Sequence, residues 1–274
     1  MRGLSLRCFI IVSALLAGGL AAYAQQPLVA AGGVLNAASN AKGVAVSAGS
    51  LISIYGTALA SSVANADSIP LSNTLGNVSV TFDNIPAPML YVSNAPQQIN
   101  AQIPWEVQGN SSTQIVVTNN GNASAPMSVP LTSAAPGIFS VGSGIGQAIA
   151  YGNTDGQIAA PVGAIPGLTT HPAKIGDPST LVILATGLGP VNPPVQTGNN
   201  VTDGQLHQCA TFPTVLVGGV PANVVFAGMT PQFVGVYQLN IVIQPGTPTG
   251  NAVPLQIQMN GITTTNQVTI AVSN

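Results

Sequence analysis

Two short words recur in this chain with the same residue types at the same spacing: Gln98-Ile-Asn100 and Gln238-Leu-Asn240. On a strand, residues two apart share a face. Gln98 and Asn100 then stand on one side, with Ile99, Ala101 and Ile103 on the other, and Gln238 and Asn240 repeat the arrangement. Such amides can bond nearby loop backbone and fix the fold, as buried amides must. They can also recognise a polar ligand, with Trp105, Tyr91 or Tyr237 as a stacking surface. The pattern favours the first use, because both copies keep the amides while Trp105 has no counterpart.

Other reactive residues are sparse. Beyond residue 24 the chain holds one Glu, five Asp and two His. A glycosidase needs two carboxyl groups across one bond, and nothing pairs Glu106 with a particular Asp. His207-Gln-Cys209 places two potential ligands on one strand face, but two ligands do not make a zinc site. An uncharged setting also does not activate a thiol. Asn153-Thr-Asp-Gly156 is a fragment of a calcium loop without its remaining oxygen ligands, and a tight turn explains the same residues. There is no G-x-S-x-G elbow, P-loop or dinucleotide fingerprint. The residues therefore point to no catalytic centre, no metal and no cofactor.

The elements that carry these residues are read from composition. Of 274 residues only 4% are charged, while 46% are hydrophobic and mean hydropathy is +0.45. Two of the four cations, Arg2 and Arg7, precede an apolar run from Cys8 to about Leu20 and an Ala22-Tyr23-Ala24 cleavage signature. That reads as a signal peptide over residues 1–24, too short in its apolar run to span a bilayer. The expected product is secreted or held at the cell surface, with no later transmembrane segment. Lys42 and Lys174 then stand against six acidic residues, which excludes a nucleic-acid partner. Cys209 remains alone, so no intramolecular disulfide forms and the hydrophobic core must hold the fold.

The 31 Gly and 22 Pro break long helices. Between them lie short strand-like runs such as Leu51–Tyr55, Val78–Phe82, Gln114–Thr118, Leu181–Leu184, Thr214–Val217, Leu255–Met259 and Val268–Val272. Several alternate apolar with polar. The halves also match in order. Ser50–Leu59 pairs with Thr180–Leu188, Val78–Ala87 with Val215–Ala222, Gln98–Ile103 with Gln238–Ile243, and Asn120-Gly121 with Asn260-Gly261. Four ordered matches predict an all-β chain of two tandem immunoglobulin-like β-sandwiches from an internal duplication. The expected division is residues 25–141 and 142–274, with Gly142–Gly146 as a short linker.

At Gly49–Gly56, Pro86-Ala-Pro, Gln98–Trp105, Ala135–Phe139, Pro172–Gly176, Ala185–Gly189 and Tyr237–Asn240 the chain resembles a family of uncharacterised secreted bacterial domains. These domains are of acidobacterial type and often stand at the C-terminus of large exported proteins. The Gly-Ser-Leu-Ile-Ser-Ile-Tyr-Gly segment is also similar to the opening of IPT/TIG immunoglobulin-like domains. The resemblance implies an extracellular β-sandwich and brings no catalytic residues.

The resulting expectation is a non-catalytic surface module for adhesion or extracellular architecture, with an extracellular protein or polysaccharide as partner. A carbohydrate-binding module is the alternative, with Trp105, Gln98, Asn100, Gln238 and Asn240 as ligand residues. A secreted hydrolase is the third reading. Packed rather than freely jointed halves are expected, with Phe139 and Tyr151 in the contact. So few ionisable groups also imply a stability that changes little between acid and neutral pH.

Overall fold

The computed structural model describes residues 25–274; the leader expected over residues 1–24 lies outside the described residues. The principal strands of the N-terminal half are β1 (Leu28–Asn36), β2 (Leu51–Thr57), β3 (Val78–Phe82), β4 (Met89–Asn94), β5 (Gln97–Gln102), β6 (Ser112–Asn119) and β7 (Met127–Pro130). Those of the C-terminal half are β8 (Gly137–Ile138), β9 (Ala150–Gly152), β10 (Leu181–Thr186), β11 (Thr214–Val217), β12 (Asn223–Met229), β13 (Tyr237–Val242), β14 (Gly250–Met259) and β15 (Gln267–Ser273).

Alternation decides the layers. Ile52 and Ile54 of β2 and Ile99 and Ala101 of β5 turn inward. Val78, Val80 and Phe82 of β3 and Ile115 and Val117 of β6 close on them in one buried cluster. Leu181 and Ile183 of β10 and Leu239 and Ile241 of β13 form the second core with Val215 and Val217 of β11 and Leu255 and Ile257 of β14. Burial of each such Val, Leu, Ile or Phe side chain contributes about 1.5–3 kcal/mol before entropy is counted. The strand order repeats: β2-β5-β4 with β7-β6-β3 in the first half, β10-β13-β12 with β15-β14-β11 in the second. Each half is thus an immunoglobulin-like sandwich of two antiparallel-dominated sheets.

The hairpins follow the expected chemistry. Asn120-Gly121, Asp83-Asn84, Gly218-Gly219 and Asn260-Gly261 all have positive φ at both turn positions. Two-residue turns between right-twisted strands require this backbone. Phe82 pairs with Ile85 across the first of these turns in chain order, and Val217 with Val220 across its equivalent.

The chain passes between the sandwiches earlier than its Gly and Ser content indicates. Leu131 belongs to the first core and Ala134 already to the second. Gly137 and Ile138 pair with Thr186 and Ala185 of β10. The 142–146 stretch is not a free connection, because Ile145–Gln147 runs parallel to β15 with Gly146 opposite Val268. The physical reason is Ile138. Its complete burial in the second core fixes this segment, and the flexible residues after it become an edge of that sandwich.

The halves are tied together by buried polar bonds. The Leu51 N–H donates to Thr186 Oγ1 at 3.0 Å, and the Thr186 hydroxyl donates to the Gly235 carbonyl at 2.7 Å. Gln102, fully buried, donates to the Gly49 carbonyl at 3.2 Å and accepts from the Gly198 N–H at 2.8 Å. Asn36 Nδ2 donates to the Ala135 carbonyl at 2.8 Å. Trp105, in the 3-10 turn Trp105–Val107, packs against both cores.

Candidate functional site

The outer faces of the two sandwiches do not close everywhere. Leu51 stands on the outward side of β2, opposite Gln102 of β5, because its neighbour Ile52 points into the core. Leu184 stands likewise on β10, opposite Gln238. Between these rows lies a cleft of about 760 Å³, lined by Leu51, Leu90, Phe139, Leu184, Phe233 and Val236, with Ile149 beside them. Its polar groups are Asp67, Ser68 and Gln232, all on loops at its edge. Phe233 is 52% and Ile69 45% exposed on its rim. Volume, apolar lining and a position between two units match those of binding sites. Phe139, expected in the contact between the halves, lines the cleft, whereas Tyr151 of β9 pairs with Val182 of β10 and does not line it.

The structure separates the residues singled out in the sequence. Gln98 and Asn100 lie half-buried on the outer face of β5 and bond each other, Gln98 Nε2 to Asn100 Oδ1 at 2.8 Å. Gln238 and Asn240 repeat this bond at 3.3 Å on β13. The amides hold each other on the sheet surface rather than tying down loops. Loop tying falls to their neighbours: Gln97 bonds the Ala60 backbone through both ends of its amide. Trp105 does not join the amides. Its ring lies against Gly49, whose φ is +75° and whose position has no room for a Cβ beneath the indole. The indole Nε1 is buried without a partner. Tyr91 does stand beside Asn100. Tyr237 is no stacking surface: it is completely buried, its hydroxyl donates to the Gly189 carbonyl, and burial raises its pKa well above the ordinary value.

Two His–Asp pairs exist that no spacing rule revealed. His171 Nε2 lies 2.7 Å from Asp155 Oδ2, and His207 Nε2 lies 3.2 Å from both Asp203 oxygens. Each ring has its second nitrogen on a backbone carbonyl, His171 Nδ1 on Pro172 and His207 Nδ1 on Pro193. A nucleophile-activating histidine needs one nitrogen for its carboxylate and the other facing the nucleophile. Here both are occupied, so the pairs serve as loop clamps. The carbonyl of Pro172 and the Asp155 carboxylate raise the pKa of His171. The Gln157 N–H and then His171 lower that of Asp155. Asp155, the acid of the calcium-like word, is spent on this turn and clamp. Cys209 lies in the second core, and burial pushes its thiol up to about 12, far from a reactive thiolate. Among the described residues no three His, Cys, Asp or Glu side chains cluster as metal ligands.

The sequence reading missed Gln102, Thr186, Leu51, Leu184 and Phe233. For Gln102 a signal was present: its counterpart in the second copy is Val242, and a break in an otherwise kept word marks a position with a different duty.

With this geometry in view, the comparisons are specific for the first half. Residues 36–133 match the IPT/TIG domain family, which corresponds to most of the N-terminal sandwich. No curated protein sequence matches the chain. Among solved structures, the Bacteroides ovatus mixed-linkage glucan utilization locus protein SGBP-B, in complex with a mixed-linkage heptasaccharide, is 13% identical with a TM-score of 0.32. The match covers 84% of this chain and 45% of that one. Domains 5–6 of the S-layer protein SbsC are 12% identical with a TM-score of 0.24, over 90% of this chain and 99% of that one. The plexin A4 extracellular region is 9% identical with a TM-score of 0.24, over 84% and 15% of the two chains. This chain spans less than half the length of the glucan-utilization protein.

Proposed function

We propose that the protein is a non-catalytic extracellular module for adhesion or surface architecture, in which two immunoglobulin-like sandwiches form one fixed body that holds a partner in the cleft between them. The observation that carries this reading is the contact between the halves. Gln102, Thr186 and Asn36 bridge them from buried positions, and Trp105 is wedged against both cores. A buried polar bridge is costly to open, because each separated group loses its partner away from water. A body held this way resists the closing motion that many enzymes use and transmits force as a spacer or adhesin does. Occupied nitrogens on both histidines support the non-catalytic part. Similarity of residues 36–133 to IPT/TIG domains supports the extracellular setting.

The test is retention and shape together. The exported chain is expected in the surface fraction of intact cells, removable by external protease, and to scatter X-rays as one rigid body. Recovery from the cytoplasm alone, or a scattering profile that requires a broad ensemble of angles between the halves, overturns the reading.

A further inference from the structure

The cleft does not end at its apolar wall. Ile69 lines it on one side and, with Pro70, lines a second hollow of about 430 Å³ on the other. That second hollow adds Gln196, Asn199, Asn200, Asp203 and His207 to the apolar Pro194, Val195 and Val201. An occupant that crosses the Ile69–Pro70 ridge passes from apolar walls to amides and a carboxylate, so the combined site is elongated and two-sided in character. Charge around it is one-sided. Asp67 lines the apolar part and Asp203 the polar part. Glu106 is held by the hydroxyl of Thr197 at 2.7 Å, beside Gln196. Among the described residues no Lys or Arg lines either hollow. His207, the one other titratable group there, is buried and bonded to Asp203 and the Pro193 carbonyl.

Two of the six acidic residues thus line the joined hollows, a third, Glu106, bonds Thr197 next to Gln196, and Lys42 and Lys174 line neither hollow. We propose that this site receives an extended polypeptide segment of a partner protein, apolar along one side and carrying lysine or arginine, with Phe233 and Ile69 as the gripping rim and Asp67 and Asp203 as counter-charges. A polysaccharide fits less well, because its hydroxyls would lose water against the apolar walls without gaining bonds there. An extended peptide supplies apolar side chains for the larger hollow and main-chain groups for the amides. Rim aromatics of this kind dominate affinity in such grooves, and the carboxylates select among partners by charge.

The inference rests on the reading of the chain as a rigid binding module, and one experiment separates the two. The full exported chain is titrated with a short acetylated and amidated peptide alternating leucine or phenylalanine with lysine. The same peptide with glutamate, and with serine, in place of lysine provides the charge series. The lysine peptide is expected to bind tightest and the glutamate peptide weakest, with the gap closing as salt rises through the Debye range. Phe233→Ala or Ile69→Ala, on exposed rim positions, is expected to weaken the lysine peptide roughly tenfold. Asp67→Asn is expected to weaken it about two- to fivefold, as exposed pairs do, and to flatten its salt dependence. Equal binding of all three peptides, or binding unmoved by Phe233→Ala, overturns the inference. So does binding of a polysaccharide panel or of the neutral apolar dye N-phenylnaphthylamine with no peptide bound. Scattering on the same sample reports the fixed body independently, so a rigid protein that ignores the lysine peptide refutes this inference alone.

Discussion

The two sandwiches secure the same loop carbonyl with different side chains. In the first, Gln97 at the start of β5 donates to the carbonyl of Ala60. In the second, Tyr237 at the start of β13 donates to the carbonyl of Gly189. Each carbonyl follows a fully buried leucine, Leu59 or Leu188. The hairpin clamps correspond even more closely. Ser124 Oγ accepts from the Val117 N–H at 3.0 Å, and Thr264 Oγ1 accepts from the Ile257 N–H at 3.1 Å. Positions that serve a single sandwich therefore keep their chemistry across the duplication, sometimes through a different residue. Positions where the first sandwich presses on the second do not. Gln102 is buried and bridges to Gly198, whereas Val242 is half-buried on the last residue of β13. Trp105 wedges between the cores, and the second copy carries no aromatic residue there. Divergence between the copies thus marks the interface.

That comparison can be broken by experiment. The largest effect is expected at the wedge. Trp105→Ala should cost about 3 kcal/mol or more by the usual scale of large aromatic truncations, read as a lower urea midpoint and as scattering that shows loosened halves. A loss of stability with unchanged scattering would make Trp105 a core residue of one sandwich only. Next in size is the unequal pair. Gln102→Ala leaves the Gly49 carbonyl and the Gly198 N–H without partners and should cost about 2 kcal/mol. Val242→Ala should cost less than about 1 kcal/mol at its half-buried position. Equal costs would contradict the reading of the divergence. The loop ties come after these. Tyr237→Phe, which strands a buried carbonyl, is expected to lower stability by about 1–2 kcal/mol, and Gln97→Ala by about 1 kcal/mol. A neutral Tyr237→Phe would mean that packing alone holds the Gly189 loop.

The smallest effect is the response to pH. His171 has a raised pKa in the folded chain, so its contribution is complete below about 6.5 and is lost as pH rises through the folded value above it. Asp155 is lowered, so its contribution is present above its ordinary value and is lost as pH falls through the folded value beneath it. The pair therefore acts most between these limits, in mildly acid solution, with Lys174 opposing the His171 charge. Both side chains are more than a third exposed, which keeps the effect to a few tenths of a kcal/mol. His171→Gln should flatten the weak slope of melting temperature against pH near neutrality. A steep slope surviving in that variant would place the titrating group elsewhere.

The sequence by itself determined the local structure and its repetition. Alternation of Ile52 and Ile54 with Leu51 and Ser53 decides which side of β2 is core, because the side-chain period of a strand is two. The Asn-Gly, Gly-Gly and Asp-Asn pairs decide the hairpins, because Gly, Asn and Asp are the residues that most readily adopt the positive φ these turns need twice. The ordered matches between the halves decide that there are two sandwiches. Tertiary structure alone decided what the outward-facing residues meet. Leu51 and Tyr55 stand on the same side of β2 and read alike in the sequence, yet Leu51 walls the cleft and Tyr55 stands beside Gln98. The residues of the cleft come from seven separate stretches between Leu51 and Val236, and no local pattern links them. Gln102, Thr186 and the histidine clamps find partners anywhere from one to 135 residues away. Local spacing reports which face a side chain takes. The angle at which two finished sandwiches dock decides what waits opposite that face.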